Sequence, residues 1–308
     1  MALVIEEVSP GMDTQDQDVP DAATAASKSF KMVGNQIRAQ ILQALGDARG
    51  PQDAPPVLSF SKLRDVVPSE IDSGLFNYHL QQLVGHYVHH SDEGYQMRPA
   101  GMLLYRTIQA GTITGELTIE AFSIGVDCYR CGGHIEANSS FGEFWIQCTD
   151  CDTFYDMVMA PPRGIETTDT DELLTRLDQY NRHKHVAYLR GICPICMSPV
   201  EQDLKQVDAE PYNRAHTRQV HIHWSCHHCG NRRFASLGMA LLETPAVISL
   251  LEKARIDPTE RTVWEFEWAM TDHTLEVVSE DPSVFSIDIE ADGNFTTLRI
   301  SDDLQVLS

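Results

Sequence analysis

All eight cysteines of the chain fall into four Cys-x-x-Cys pairs: Cys128/Cys131, Cys148/Cys151, Cys193/Cys196 and Cys226/Cys229. A Cys-x-x-Cys turn can aim both sulfurs at one ion, so two such turns on neighbouring hairpins complete the tetrahedron of a closed structural site. Sixteen residues separate Cys131 from Cys148 and twenty-nine separate Cys196 from Cys226. The first spacing is that of a compact zinc ribbon, and the second needs a longer excursion. We therefore expect two structural zinc ions per chain. The simplest pairing joins the first turn to the second and the third to the fourth, with interleaved sites as the alternative.

Other uses of the thiols fit the sequence less well. Met1 to Asp21 carries no Lys or Arg and no apolar core of signal length, which argues against secretion and disulfides. Redox chemistry would call for one reactive pair beside a βαβ pattern rather than four pairs in hydrophobic hairpin contexts. An iron centre uses the same four thiolates, and spacing alone does not separate it from zinc. His221, His223, His227 and His228 lie near the second set as substitute ligands; His227 and His228 sit inside a Cys-x-x-Cys turn, where strain opposes ligation. Four thiolates leave no open coordination position, and no nucleophile elbow, phosphate loop or zinc-protease helix occurs, so we expect no enzyme.

The chain of 308 residues has a formal net charge of −22, spread unevenly. Between Lys28 and Ala110 eight basic residues face seven acids, leaving 15 basic and 38 acidic residues elsewhere from totals of 23 and 45. Such acidity suggests a halophile's protein that keeps one segment presentable to a polyanion, since at molar salt the screening length is only about 3 Å. No apolar run reaches membrane-spanning length, and a cytoplasmic protein is expected.

Residues 1–27 read as a disordered acidic tail. Phe30, Val33, Ile37, Ile41, Leu42 and Leu45 then recur at helical spacing up to Gly46. After the Pro-rich loop Gly50 to Pro56 come a short strand, Val57 to Phe60, and a helix, Lys62 to Val67, capped by Ser61 and stopped by Pro68. Ser69 or Ser73 opens the next helix, with Leu75, Phe76, Leu80 and Leu83 inward and Gly85 ending it. A hairpin, Tyr87 to Met97, and a helix, Met102 to Ala110, follow. This order of elements is that of a winged helix-turn-helix. Its outward set would be Ser73, Gly74, Asn77, Tyr78, Gln81 and Gln82, with His79 packed beneath. Asn and Gln can read adenine edges, and Ser and Tyr can reach phosphates. Lys62, Arg64 and Arg98 are the candidate phosphate partners, and His89 and His90 lie on the wing.

The run Asp72-Ser73-Gly74-Leu75-Phe76-Asn77-Tyr78-His79-Leu80-Gln81-Gln82-Leu83, with Gly94-Tyr95-Gln96-Met97-Arg98-Pro99-Ala100-Gly101, resembles the recognition helix and wing of ArsR-like winged-helix transcriptional regulators, the haloarchaeal members most closely. The resemblance covers roughly residues 28 to 110. It implies double-stranded DNA as partner and a homodimer formed through the terminal helices, Lys28 to Leu45 and Met102 to Ala110. The arsenic-binding cysteine motif of metal-sensing members is missing here, so metal sensing by this part is not implied.

Beyond it, two blocks read as loose copies of one unit: a Cys-x-x-Cys turn, a strand ending at a second such turn, an aromatic strand, a proline element and an amphipathic helix, Thr170 to Leu189 and Pro245 to Ala254. From Thr262 the chain alternates, with Trp264, Phe266 and Trp268 read as one strand face ahead of further strands across an Asp292-Gly293 turn. The expectation is an α+β protein: a winged helix-turn-helix over 28–115, then a C-terminal domain over 123–308 comprising zinc-ribbon-like units at 123–190 and 191–260 and antiparallel strands at 261–308. An RNA-polymerase- or protein-binding accessory factor is the rival reading, and a thiol redox or iron protein the second.

Overall fold

The computed structural model describes residues 22–48, 56–67, 71–113, 115, 119–140, 143–166, 169–206 and 220–307. Among them are nine α-helices and four small antiparallel sheets, an α+β architecture in two compact units that divide between Ile108 and Gln109. Residues 1–21, most of the Gly50 to Pro56 loop, Pro68, Ser69 and the insert at 207–219 lie outside the described residues.

The first unit begins with α1 (Ala22–Val33), so the expected tail gives way to helix six residues before Lys28. The single helix read from Phe30 to Leu45 is two. Asn35, in extended backbone, caps α2 (Gln36–Asp47) by accepting from the N–H groups of Ile37 and Arg38. An Asx cap satisfies donors that a continuous helix would have used, and this breaks the run. Phe30 is consequently 72% exposed.

Ser59, rather than Ser61, caps α3 (Phe60–Val66), and Asp72 caps α4 (Ser73–Leu83) through Leu75 N–H. The strand expected at Val57 to Phe60 shrinks to a single bridge. Leu58 exchanges both backbone hydrogen bonds with Tyr95, at 2.9 and 2.8 Å. The hairpin β1 (Val88–Ser91) and β2 (Gly94–Met97) leads to α5 (Pro99–Gln109). Gly94 is required: its φ is +136°, and a Cβ there would meet Leu58 O at 2.4 Å. Ile41, Leu45, Leu63, Phe76, Leu80 and Leu83 form the buried centre. Leu75, expected inward, is 42% exposed, because α4 begins at Ser73 and its first turn overhangs that core.

In the second unit, β3 (Phe122–Asp127), β4 (His134–Ser140), β5 (Glu143–Cys148) and β6 (Phe154–Met159) form a meander. A 3-10 turn at Pro162–Ile165 leads to α6 (Thr170–Leu189). A second, three-stranded meander holds β7 (Glu201–Gln206), β8 (Val220–Ser225) and β9 (Arg232–Ala235), followed by α7 (Leu237–Leu241) and α8 (Pro245–Lys253). Trp264, Phe266 and Trp268 do not form a strand face. Trp264 lies on a 3-10 turn, Val263–Glu265, Trp268 lies on α9 (Glu267–Met270), Phe266 links the two, and all three are buried. A reciprocal capping box, with Thr262 N–H donating to Glu265 Oε2 at 2.7 Å, winds this segment despite its alternating pattern. The chain closes with β10 (Leu275–Glu280), β11 (Ser283–Ala291), β12 (Asn294–Ser301) and β13 (Val306–Leu307), in that spatial order.

One continuous core joins all three sheets. Phe144 and Tyr155 from the first, Trp224 from the second and Phe285 and Ile287 from the third pack with Leu173 and Leu177 of α6. The Cys-x-x-Cys sheets are thus layers of one body.

Candidate metal centres and the exposed face of α4

Every Cys-x-x-Cys turn has the same backbone. The first cysteine's N–H donates to the carbonyl five residues on (Gly133, Thr153, Ser198, Asn231), at 2.7 to 2.9 Å. The residue four on is left-handed: Gly132 (φ 73°), Asp152 (56°), Met197 (63°) and Gly230 (73°). The resulting knuckle turns its backbone N–H groups toward sulfur, as in the 3.4 Å contacts of Gly133 N to Cys131 Sγ and Asp150 N to Cys148 Sγ. Amide donors around a thiolate favour its charged form, so the backbone itself prepares the ligands.

Antiparallel pairing of β4 with β5 brings the first two knuckles together, and pairing of β7 with β8 the last two. Cys128, Cys131, Cys148 and Cys151 form one group and Cys193, Cys196, Cys226 and Cys229 the other, with the four sulfurs of each within 4.8 Å of one another. The consecutive pairing therefore holds, and the interleaved one does not. Cys128 to Cys151 is 3.7 Å and Cys131 to Cys148 3.6 Å. Cys193 to Cys229 is 3.6 Å and Cys196 to Cys226 3.5 Å. These are contact distances between free thiols, not disulfides, and they approach the roughly 3.8 Å sulfur edge of a tetrahedron with metal–sulfur bonds of about 2.3 Å. Each group is positioned to hold one metal ion, and no histidine belongs to either. His221 is buried against Phe234, while His227 is exposed and sits 2.7 Å from Glu201.

Four thiols this close cannot all ionise unaided. Burial opposes the Cys128 thiolate, but the Tyr155 hydroxyl at 3.2 Å and the N–H groups of Cys131 and Arg130 outweigh it, drawing its pKa down to about 6. Cys193 is likewise drawn down to about 6, burial being overcome by the N–H groups of Cys196 and Ile195 and by Asn231. Single amides, from Gly133 and Asn231, favour the Cys131 and Cys229 thiolates, yet the neighbouring sulfurs and lost solvation push both up to about 12. A divalent cation is what lets all four charges coexist.

The contacts behind the ligands were invisible in the sequence. Tyr155, 1% exposed, backs the first group; Asn231 Nδ2 contacts Cys193 Sγ at 3.7 Å and Tyr188 Oη at 2.5 Å in the second. Arg233 of β9 ties the two sheets together. Its Nε donates to His185 Nε2 (2.8 Å), one terminal nitrogen to Met157 O (2.5 Å), and the other lies 3.4 Å from Asp156.

In the first unit, Ser73, Gly74, Asn77, Tyr78, Gln81 and Gln82 form an exposed row on α4, while Phe76, His79, Leu80 and Leu83 are buried. Gln81 Nε2 reaches the Tyr95 hydroxyl at 3.4 Å, and Tyr95 stacks on His90 with centroids 4.2 Å apart. His89 and Lys62 are exposed. Arg64 donates to Ile71 O and lies over the Phe76 ring at 5.6 Å, and Arg98 donates to Gly85 O, so both guanidinium groups have intramolecular partners.

No helix among the described residues is long and apolar enough to cross a membrane. No curated protein and no solved structure matches the chain. A family described as a domain of unknown function (DUF7347) matches residues 26–108. A second, also described as a domain of unknown function (DUF7351), matches residues 125–306, which hold both tetra-cysteine groups and more than half of the chain; the chain belongs to that family.

Proposed function

We propose that the protein is a sequence-specific double-stranded DNA-binding transcriptional regulator of the ArsR-like kind, a homodimer whose first unit is a winged helix-turn-helix. The second unit is stabilised by two structural zinc ions. The observation that carries this reading is the outward row of α4. Ser73, Asn77, Tyr78, Gln81 and Gln82 are polar, uncharged and exposed on a helix whose other face is anchored by Phe76, Leu80 and Leu83. Amide side chains on an exposed helix can pair with adenine edges in the major groove, and the hairpin β1–β2 would cross the backbone beside it. Two copies would read half-sites about one helical turn apart, or a multiple of that.

The closed all-sulfur donor set suits zinc or iron rather than magnesium or calcium, and zinc is the ion we propose. Colourless protein with two zinc ions per chain is the expected result of metal analysis, whereas a red or brown preparation would indicate iron.

The test of function is genome-wide occupancy of the tagged protein in its own host. Sharp peaks sharing a two-fold motif are expected; diffuse signal, or signal that follows polymerase, would overturn the reading. Asn77→Ala should then weaken the preferred duplex by about 1 to 3 kcal/mol with little change in fold. Equal losses on preferred and random duplex would remove Asn77 from base reading.

One observation favours the rival, a protein-binding transcription accessory factor. The third knuckle carries exposed Ile195 and Met197, at 68% and 83%, where the fourth carries His228 and Gly230. Recovery of polymerase in a pull-down, without selective duplex binding, would support it.

A further inference from the structure

Helices α1 and α2 are set apart from the rest of this acidic chain. Acids make up 45 of its 308 residues, yet none occurs between Ala22 and Gly46, and α4 carries no charged residue at all. The same stretch holds Lys28, Lys31 and Arg38. Lys28 and Lys31 are three apart on α1 and share one exposed face. Arg38, in the first turn of α2, donates to Lys31 O at 2.7 Å, which turns the guanidinium toward the same side. These three cations and Gln82, the last of the exposed α4 row, line one groove of about 650 Å³.

We infer that this groove is a track for the sugar-phosphate backbone of a DNA duplex, with Lys28, Lys31 and Arg38 on phosphate oxygens. The inference rests on the DNA-binding reading of α4 and adds to it the residues that carry affinity rather than sequence. Three observations converge. Positive charge is concentrated in a stretch, Ala22 to Gly46, that holds no carboxylate of its own. The groove adjoins the helix whose polar face is free to meet bases. Arg64 and Arg98, the arginines nearest that helix in sequence, already bond backbone carbonyls. Arg38 likewise spends one terminal nitrogen on a backbone carbonyl, and its Nε is buried, so its other terminal nitrogen is the donor that would meet a phosphate, while Lys28 and Lys31 carry most of the charge. Contacts of this kind fix register and supply non-specific binding energy, and each releases counterions.

The experiment uses the full-length protein, one duplex it selects from a random pool and one unselected duplex, titrated over a range of salt. The double variant Lys28→Gln/Lys31→Gln should weaken both duplexes by the same factor, on the order of tenfold, and lower the slope of log affinity against log salt by about 0.9 per lost contact. Adding Arg38→Gln should lower it further, and Lys31→Arg should restore affinity. Because Arg38 also holds α1 to α2, the double variant with unchanged far-UV circular dichroism decides the matter alone. Selection of a duplex by wild type, with affinity and slope unchanged in the double variant, would overturn the groove while leaving the α4 reading intact. Loss confined to the selected duplex would also overturn it, since the groove would then read bases. Failure of wild type to select or bind any duplex would sink the α4 reading itself.

Discussion

Left-handed backbone at the residue four beyond the first cysteine is shared by all four knuckles, yet only two of them use glycine there. Glycine adopts this conformation without steric cost, whereas an L side chain pays on the order of 1 kcal/mol or more. Met197→Gly is therefore expected to keep both metal ions and to gain at most about 1 kcal/mol in urea titration, while Gly230→Val should lose stability by a similar amount. Titrating groups give a second expectation. Burial, and then the charge of Arg38, hold the His79 pKa below the ordinary value, so the folded state prefers the neutral ring. The stability this contributes is complete above about pH 6.5 and is lost as pH falls from there toward the depressed value. His79→Leu should remove that component from melting curves recorded between pH 8 and 5. Asp178 has the opposite sign: burial, against the pull of Arg182, raises its pKa to about 6. Stability falls as pH rises from about 4 to 6 and levels above, and Asp178→Asn, which keeps an acceptor for Val263 N–H, should flatten that window. At this scale the ligands were legible because cysteine spacing is itself the signal. Tyr155, Asn231 and Arg233 were not, because nothing local marks a residue whose partner lies across a sheet.

Among the elements, α6 is the hub of the second unit. Its buried face packs Leu173 and Leu177 in the core, stacks Tyr188 on Trp224 with centroids 5.6 Å apart, and offers His185 to Arg233. Asp178 and Arg182 hold the segment after α8 through Val263 N–H and Pro258 O, and Arg182 also pairs with Glu243 just ahead of α8. Removing Arg233 leaves the Asp156 carboxylate buried without its cation, and Arg233→Ala should cost about 3 kcal/mol or more in chemical denaturation. The bounds of α6 were readable from the proline element at Pro161-Pro162 and the amphipathic run after it, and in the structure Asp169 caps its start. Short elements misled. The alternation at Trp264, Phe266 and Trp268 has strand period, yet a four-residue capping box fixed the backbone first. The α1–α2 run has helical period throughout, yet one Asn cap divides it. Periodicity reports which side chains are buried, and a local hydrogen bond decides the path that buries them.

For the molecule as a whole, the sheets that carry the two metal groups share one core, so metal and fold should be lost together in the second unit. Chelation at neutral pH is expected to abolish cooperative melting of that unit. Cys148→Ser, which removes one ligand of the first group, should lower bound metal and also weaken the second group. Unchanged stoichiometry in that variant would refute the ligand set. With a net charge of −22, melting temperature should rise with added salt until repulsion is screened. The first thiol set is complete once Cys151 has been made, whereas the guanidinium that answers Asp156 comes 77 residues later. A chain emerging from the ribosome can therefore capture its first ion long before the surrounding core closes, and early metal loading would guard the nascent hairpins, with their unpaired carboxylate, until Arg233 arrives.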